Sequence, residues 1–354
     1  MTPDVNVAIV GGGPVGLACA LFAADAGLEP VVIEPRETPI DKSCGEGLMP
    51  GAWRLLRELG LEPPGAQLRG VAYIQGRARA EHRFRNGPGR GVARTTLHAA
   101  IAARVAERGI RVIRARVDAV SVHDTQVTIA GPELDAITAG HLIGADGLHS
   151  RVRDLAGLTA RPQRASARRF GLRRHFGVPP WSDLIEVRWT RHGEFYVTPL
   201  GPELVGVALL ARRGADFGAA LADEPELAGL LHADARGDSA AQLGQVRGAG
   251  PLLQRTRART AGRILLVGDA SGYVDALTGE GLRLGMDQAK AAVAAIAADD
   301  PARYERDWTT ITRDFRMLTS GLVAAARSPL RPAIVPAAVR LPRLYGRIVE
   351  RLAR

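Results

Sequence analysis

The sequence predicts an α/β fold: a three-layer parallel-sheet domain, an antiparallel β-sheet domain inserted into it, and C-terminal helices. Three observations predict it. The chain opens with a strand, a glycine-rich turn, a helix and a second strand, "VNVAIVGGGPVGLACALFAADAGLEPVVIE". A second apolar strand ending in a glycine turn, "GRILLVGDA", returns only after Ala261. Between them, from about Phe170 to Gln254, short alternating runs are broken by turn residues, the pattern of an antiparallel sheet. The first domain is therefore split in sequence.

Each element has its own signal. "VNVAIV" (Val5–Val10) is a short apolar run suited to a buried parallel strand. The alanine-rich "LACALFAADAG" is a helix ending at Gly27, and "PVVIE" (Pro30–Glu34) closes a βαβ unit. "KSCGEGLMPGAWRLLRELG" is a loop leading into an amphipathic helix, and residues 70–92 alternate weakly, as strands do. "TTLHAAIAARVAERG" (Thr95–Gly109) is a helix, followed by the strand "IRVIRARV". "AVSVHD" and "QVTIA" are strand-like, and "AGHLIGADG" is a strand ending in a polar turn. In the inserted region "LIEVRWT", "GEFYVTPLG" and "LVGVALLA" read as strands and "EPELAGLLHADA" as a helix. Helices follow over about Glu280–Ala298 and Pro301–Ala326. The proline-broken C-terminus, "SPLRPAIVPAAVRLPRLYGRIVERLAR", has apolar and arginine faces. Packing over the first domain is the preferred reading of it; a greasy substrate or a peripheral membrane contact is the alternative. The expected spans are 1–69, 93–165 and 255–300 for the split domain, 70–92 and 166–254 for the sheet domain, and 301–354 for the C-terminal helices.

Composition narrows the class. The 354 residues are 46% hydrophobic, enough for a large core. Two cysteines, Cys19 and Cys44, cannot make a disulfide framework, and their scarcity fits a reducing compartment. The start lacks a signal-peptide pattern. No apolar run approaches the ~18 residues of a membrane span. A cytoplasmic protein is expected. The net charge of +10 is nearly all arginine, since Lys42 and Lys290 are the only lysines. The arginines are spread along the chain and aromatics are only 5%. That argues against nucleic-acid binding, which interleaves aromatics with charge. No His/Asp/Glu cluster has metal spacing, so no metal is expected.

The glycines carry the chemistry. Gly11, Gly13 and Gly16 form G-x-G-x-x-G between a strand and a helix. The first permits a tight turn, the second lets backbone approach a pyrophosphate, and the third lets helix and strand pack closely. The helix start, with Pro14, faces the phosphates with free N–H groups. Glu34 ends the second strand at the spacing of a ribose-binding acid, with Pro35 and Arg36 beside it. This is an adenine dinucleotide site of the Rossmann type. FAD is favoured over NAD(P) by the late segment "VGDASGYVDALTGEG" (Val267–Gly281). Asp269, after Gly268 at a strand's end, is placed to accept hydrogen bonds from ribityl hydroxyls. Gly279-Glu280-Gly281 precedes a helix whose N–H groups suit a flavin's pyrimidine carbonyl. Taken alone, Asp269 serves equally as a turn or cap residue.

Three segments together resemble the single-component FAD-dependent monooxygenases of the p-hydroxybenzoate hydroxylase type. They are "VAIVGGGPVGLACALFAADAG…VVIEP", "LIGADGLHSRVRDLAGL" (Leu142–Leu158) and "GRILLVGDASGYVDALTGEGLRLGMDQA". The resemblance implies a flavin domain assembled from both ends of the chain. It implies that Asp146 and Gly147 touch the FAD pyrophosphate region and serve NAD(P)H binding. It implies that Arg94 approaches the phosphates from its helix start and that Val117 belongs to the cofactor set. The implied activity is NAD(P)H-driven hydroxylation of an aromatic or polyketide-like metabolite through a flavin hydroperoxide, on a hydrophobic or aromatic small molecule.

The segment departs from the hydroxylase pattern. It reads Gly-Asp-Ala-Ser-Gly rather than Gly-Asp-Ala-Ala-His, and Ala276 stands where a proline is common. In this, and in the loop "KSCGEGLMP", it is closer to the geranylgeranyl reductase branch of the same superfamily. The alternative activity is therefore reduction of prenyl or alkene double bonds. "EFYVTPLG" would then form a sheet-edge segment over the flavin. Flavin halogenases are relatives, but there is no Trp-x-Trp-x-Ile-Pro stretch. A non-catalytic FAD-binding protein is the remaining reading. Cys44, Gly45 and Glu46 would lie near the flavin, and Cys44, Glu46 and Glu280 are the candidate proton donors. For Cys44 a space-filling role beside glycines is preferred. Glu46 and Glu280 are otherwise plain helix-end or solvated charges.

Overall fold

A computed structural model describes residues 3–160, 169–234 and 236–354. The expected domain boundary at 165/166, and Ala235 at the end of "EPELAGLLHADA", lie outside the described residues. The βαβ opening forms as β1 (Val5–Val10), α1 (Pro14–Asp25) and β2 (Pro30–Ile33). The loop after β2 carries β3 (Gly47–Leu48) and runs into α2 (Pro50–Glu58), then β4 (Ala66–Leu68), β5 (Gly70–Gln75), β6 (Ala78–Arg83) and β7 (Gly89–Gly91). Next come α3 (Arg94–Glu107), β8 (Arg111–Ile113), β9 (Ala119–Val122), β10 (Val127–Gly131), β11 (Leu134–Gly144) and α4 (Arg151–Leu155). The expected strand over "IRVIRARV" thus shrinks to three residues. It is the edge strand of its sheet, pairing only with β2 at Val31–Ile33, where that partner strand ends.

The inserted region holds β12 (Arg169–Phe176), β13 (Leu184–Trp189), β14 (Gly193–Gly201), β15 (Leu204–Arg212), the short helices α5 (Phe217–Ala222) and α6 (Pro225–Leu230), and β16 (Gln242–Ala249). The chain returns through β17 (Thr260–Ala261), β18 (Ile264–Leu266) and a 3-10 turn, Gly268–Ser271. It ends in α7 (Gly281–Ala297), α8 (Arg303–Ala326), α9 (Ile334–Arg340) and α10 (Pro342–Leu352).

The first sheet runs β17-β18-β11-β1-β2-β8, with β9 and β10 attached to β11. Its central pairs, β18-β11, β11-β1 and β1-β2, are parallel. Both of its faces are apolar, as a sheet covered on two sides requires: one core joins α1, α3, α7 and α8 to it, another lies under β10. The carboxyl ends of β1, β11 and β18 therefore meet at one edge, where ligands bind in such sheets.

The second sheet runs β16-β12-β15-β14-β13-β5-β6. It is antiparallel except where β13 and β5 run parallel. This corrects two expectations. The sheet is mixed, because β5 reaches it from the other half of the chain. "EFYVTPLG" is its central strand, not an edge, because β14 is buried on both faces between β13 and β15. A third correction concerns the C-terminus. Helices α9 and α10 pack chiefly on β5 and β6 of this second sheet, while the last turns of α10 also touch α2, α7 and α8. Tyr345 Oη donates to Val71 O at 3.2 Å, Glu350 accepts from Arg85 N at 2.9 Å, and Gly51 N donates to Ala353 O at 3.0 Å. Tyr345 sits at 5.1 Å from Tyr73, so apolar and aromatic contacts with the sheet outweigh those with the first domain.

Candidate active site

The two sheets enclose a cavity of about 1050 Å³. One end is the glycine turn. Gly11 has φ +109°, and a Cβ there would meet Ala145 O at 2.5 Å. A Cβ on Gly16 would lie 1.8 Å from Gly11 O, so α1 abuts the turn and Gly16 serves packing without lining the cavity. Gly13 precedes α1, Pro14 is its first residue, and no side chain caps its N–H groups. These donors face the cavity beside Gly11, Gly13 and Pro14. Arg94 comes in from the start of α3, its Nη2 3.9 Å from where a Gly13 Cβ would be. Its Nε is buried without a partner. An open helix N-terminus and an unpartnered guanidinium nitrogen are groups able to receive an anion.

His98, one turn along α3 from Arg94, escaped the sequence reading. It donates from Nε2 to Gly12 O at 2.8 Å and so fixes the glycine turn. Burial holds its pKa below the usual histidine range, so it stays neutral. Its signal was the i, i+4 spacing from Arg94, which puts both on one helix face.

Glu34 lines the cavity with Pro35, Arg36 and Val117. Its Oε2 accepts from Gly12 N at 2.7 Å and from Arg36 Nη2 at 2.9 Å. Its Oε1 accepts from Arg36 N at 3.0 Å and Nε at 2.7 Å. Burial pushes this carboxyl up, but the Arg36 and Gly12 donors prevail and its pKa lies below the usual value. All four lone-pair positions are taken. The half-exposed Arg36 must turn aside before a ribose hydroxyl can reach Glu34.

Farther along, Asp146, Gly147, Gly268 and Asp269 line the wall. Asp146 accepts from Ser150 Oγ at 2.5 Å and Val152 N at 3.1 Å, tying down the start of α4; burial raises its pKa. Asp269 Oδ2 accepts from Lys42 Nζ at 2.9 Å. Lys42 carries no local signal for this role, because its partner lies 227 residues away in the chain. The fold brings it across from the loop after β2, to a wall it shares with Gly147.

Cys44, Gly45 and Glu46 lie on that same loop and line the cavity. Burial, then the neighbouring Glu46 carboxylate, push the Cys44 thiol up, so it stays protonated. Glu46 adopts φ +57°, rare for a side-chain-bearing residue. Its Oε1 accepts from Arg94 N at 2.7 Å and its Oε2 pairs with His175 Nε2 at 2.7 Å. Both oxygens join the loop to α3 and to β12, so Glu46 is a junction rather than a free proton donor. Glu280 is a plainer correction. Gly279 and Gly281 line the cavity, but Glu280 turns away to Arg283 Nε at 2.5 Å. The backbone before α7 faces in, which sends the side chain between them out.

Beyond Cys44 the wall becomes apolar. Met49, Val71, Ile185, Val187, Leu210 and Leu252 belong to it, as do Val349 and Leu352 of α10. Tyr73, Tyr196 and Tyr273 also line the cavity, and burial raises the pKa of each phenol. Tyr196 Oη donates to Leu277 O at 2.6 Å. Among the described residues no cluster of three or more His, Cys, Asp or Glu is placed to hold a metal, and no helix is long and apolar enough to cross a membrane.

A family profile described as "FAD binding domain" matches residues 4–299. The chain belongs to that FAD-binding family. It is an FAD-dependent oxidoreductase of the superfamily that its three segments resemble. It is 25% identical over 346 residues to a menaquinone reductase of Mycolicibacterium smegmatis, covering 89% of this chain and 81% of that one. It is 28% identical over 344 residues to digeranylgeranylglycerophospholipid reductase 1 of Methanopyrus kandleri, covering 88% of each. In fold it matches p-nitrophenol 4-monooxygenase of Pseudomonas putida with a TM-score of 0.79 over 99% of both chains, at 19% identity.

Proposed function

We propose that this FAD-dependent enzyme reduces a carbon–carbon double bond in an apolar, isoprenoid-like molecule, ahead of the hydroxylation that the Asp-Gly motif first suggests. The observation that carries this reading is the apolar far end of the cavity, walled by Met49, Val71, Ile185, Val187, Leu210 and Leu252. An acidic or phenolic substrate needs a charged partner or a base there; an alkene chain needs neither. The relatives named as reductases of isoprenoid-bearing molecules support the same reading.

In this reading Gly11, Gly13, the start of α1 at Pro14 and Arg94 hold the pyrophosphate. Glu34, Pro35, Arg36 and Val117 surround the adenosine. Asp146 and Gly147 border the pyrophosphate region, Gly268 and Asp269 hold the ribityl region, and Cys44, Gly45, Gly279 and Gly281 border the ring. FAD, once bound, supplies hydride chemistry drawn from NAD(P)H. Reduction adds a hydride to one carbon of the double bond and a proton to the other. Cys44 Sγ, protonated and inside the cavity, holds a proton that can be delivered. The apolar walls keep water from competing.

A second reading, hydroxylation of an aromatic ring, is favoured by the three tyrosines, since aromatic walls stack aromatic substrates. One experiment separates the two. The flavin-loaded enzyme is given NADPH or NADH with geranylgeranyl diphosphate or a menaquinone, without oxygen, and products are analysed by mass spectrometry. Gain of two hydrogens in the isoprenoid chain, which for the menaquinone must survive reoxidation of any quinol in air, supports the reductase. No such product, together with incorporation of an oxygen atom into a phenol in air, refutes it in favour of the hydroxylase.

A further inference from the structure

The C-terminal helices have a second, outward side. Helix α10 gives Val349 and Leu352 to the cavity wall, and both α9 and α10 lie on the β5–β6 hairpin. Other side chains of this segment are exposed. Leu330, Val339, Leu341 and Leu344 stand 45–66% exposed there. Among the described residues these are four of only nine large apolar side chains that are exposed at all. Such a concentration on one segment differs from the scattered apolar residues of ordinary surfaces.

Charge accompanies it. Residues 327–354 contain seven arginines and one acid, Glu350, and so hold six of the chain's ten net positive charges. Glu350 is turned inward, to His82 and to Arg85 N. Arg331 reaches Glu194 and Arg351 pairs with Asp314. Arg340, Arg343 and Arg347 remain exposed among the apolar side chains. Exposed leucines between exposed arginines, with no outward acid, match an anionic bilayer surface: the leucines enter the acyl boundary while the guanidinium groups meet phosphates.

We infer that the surface formed by Leu330, α9 and the outer side of α10 docks on membranes containing anionic phospholipid. The inner side of α10 borders the apolar end of the cavity, so docking sets the substrate end of the enzyme against the lipid phase. The surface stands on exposure and charge, whichever bond the enzyme acts on.

The test is co-sedimentation of the flavin-loaded protein with vesicles of phosphatidylglycerol and phosphatidylcholine, and with phosphatidylcholine alone. Binding is expected only to the anionic vesicles and is expected to fall as salt rises. Arg340→Gln/Arg343→Gln/Arg347→Gln is expected to weaken it roughly a hundredfold. Val339→Ser/Leu341→Ser/Leu344→Ser is expected to weaken it at least about tenfold. Flavin content and melting temperature should stay unchanged in both, since these side chains are exposed. The inference is overturned if the wild type ignores anionic vesicles, or if both variants bind as it does. It is also overturned if the serine variant instead converts a dimer to a monomer, which would make the surface a contact between two copies. None of these outcomes touches the alkene-reduction assay, so failure here leaves that reading standing.

Discussion

Replacing Glu280 with glutamine is expected to stabilise the protein at alkaline pH. Glu280 precedes α7, where a helix start would ordinarily favour a carboxylate. Its side chain, however, is wholly buried, and Oε1 has no hydrogen-bond partner. Burial raises its pKa from 4.5 to about 7, against the opposing pull of Arg283. The folded state therefore binds this proton more tightly than the unfolded chain. Its stabilising effect is complete below about 4.5 and is lost as pH rises through about 7. A rise of that size corresponds to roughly 3 kcal/mol. Glutamine stays neutral throughout, fits the same space and leaves Arg283 its second partner, Asp287, at 2.8 Å. Urea unfolding of both proteins between about pH 5 and pH 9 gives the measurement. The stability of E280Q minus that of the wild type should climb by up to roughly 3 kcal/mol as pH rises from about 4.5 to about 7, and level off above that. A difference that is flat across the range, or falls with pH, would refute the reasoning: Glu280 would then ionise freely in the fold.

Arg94→Ala should weaken FAD binding about tenfold to a hundredfold, the worth of a charge-assisted hydrogen bond, in a fluorescence titration of the apoprotein; unaltered affinity would remove Arg94 from the phosphate site. Gly16→Ala should abolish flavin retention, because its methyl would overlap the rigid Gly11 carbonyl, whereas Gly229→Ala, with nothing within 4 Å of the new methyl, should purify yellow. Cys44 should react with iodoacetamide at pH 8 at least about tenfold more slowly than free cysteine, since burial and Glu46 hold the thiol protonated. Fast alkylation at that pH would mean that a thiolate is present. Cys44→Ala should retain FAD and lower kcat for double-bond reduction by roughly a hundredfold; an unchanged kcat would leave Cys44 the space-filling role.

The glycine turn was legible because its constraints are local. Gly11 needs its positive φ, and Gly16 needs close approach within six residues of chain. The periodic, strongly apolar elements were legible for a similar reason: β1, α1 and α7 run within a residue or a few of the limits their patterns suggest. The βαβ opening and the late Gly-Asp turn, read together, were enough to name the cofactor and to split the first domain around the second.

The rest depended on which distant segments meet. "EFYVTPLG" has the same letters as an edge or a central strand, and only the arrival of β13 and β15 on its two sides makes it central. Glu46 reads as a free acid until β12 brings His175 against it and α3 brings Arg94 N. Glu280 reads as a site acid until the start of α7 turns it toward Arg283. Lys42 and Asp269 stand 227 residues apart, and no local pattern could pair them. By itself the sequence determined a dinucleotide turn, its helix and its strands, because backbone sterics and hydrophobic period act over a few residues. Tertiary structure alone decided which acids face the cavity, which cation shares the wall with Asp269, and that the far end of the cavity is apolar, because burial and charge pairing depend on contacts that chain order does not encode.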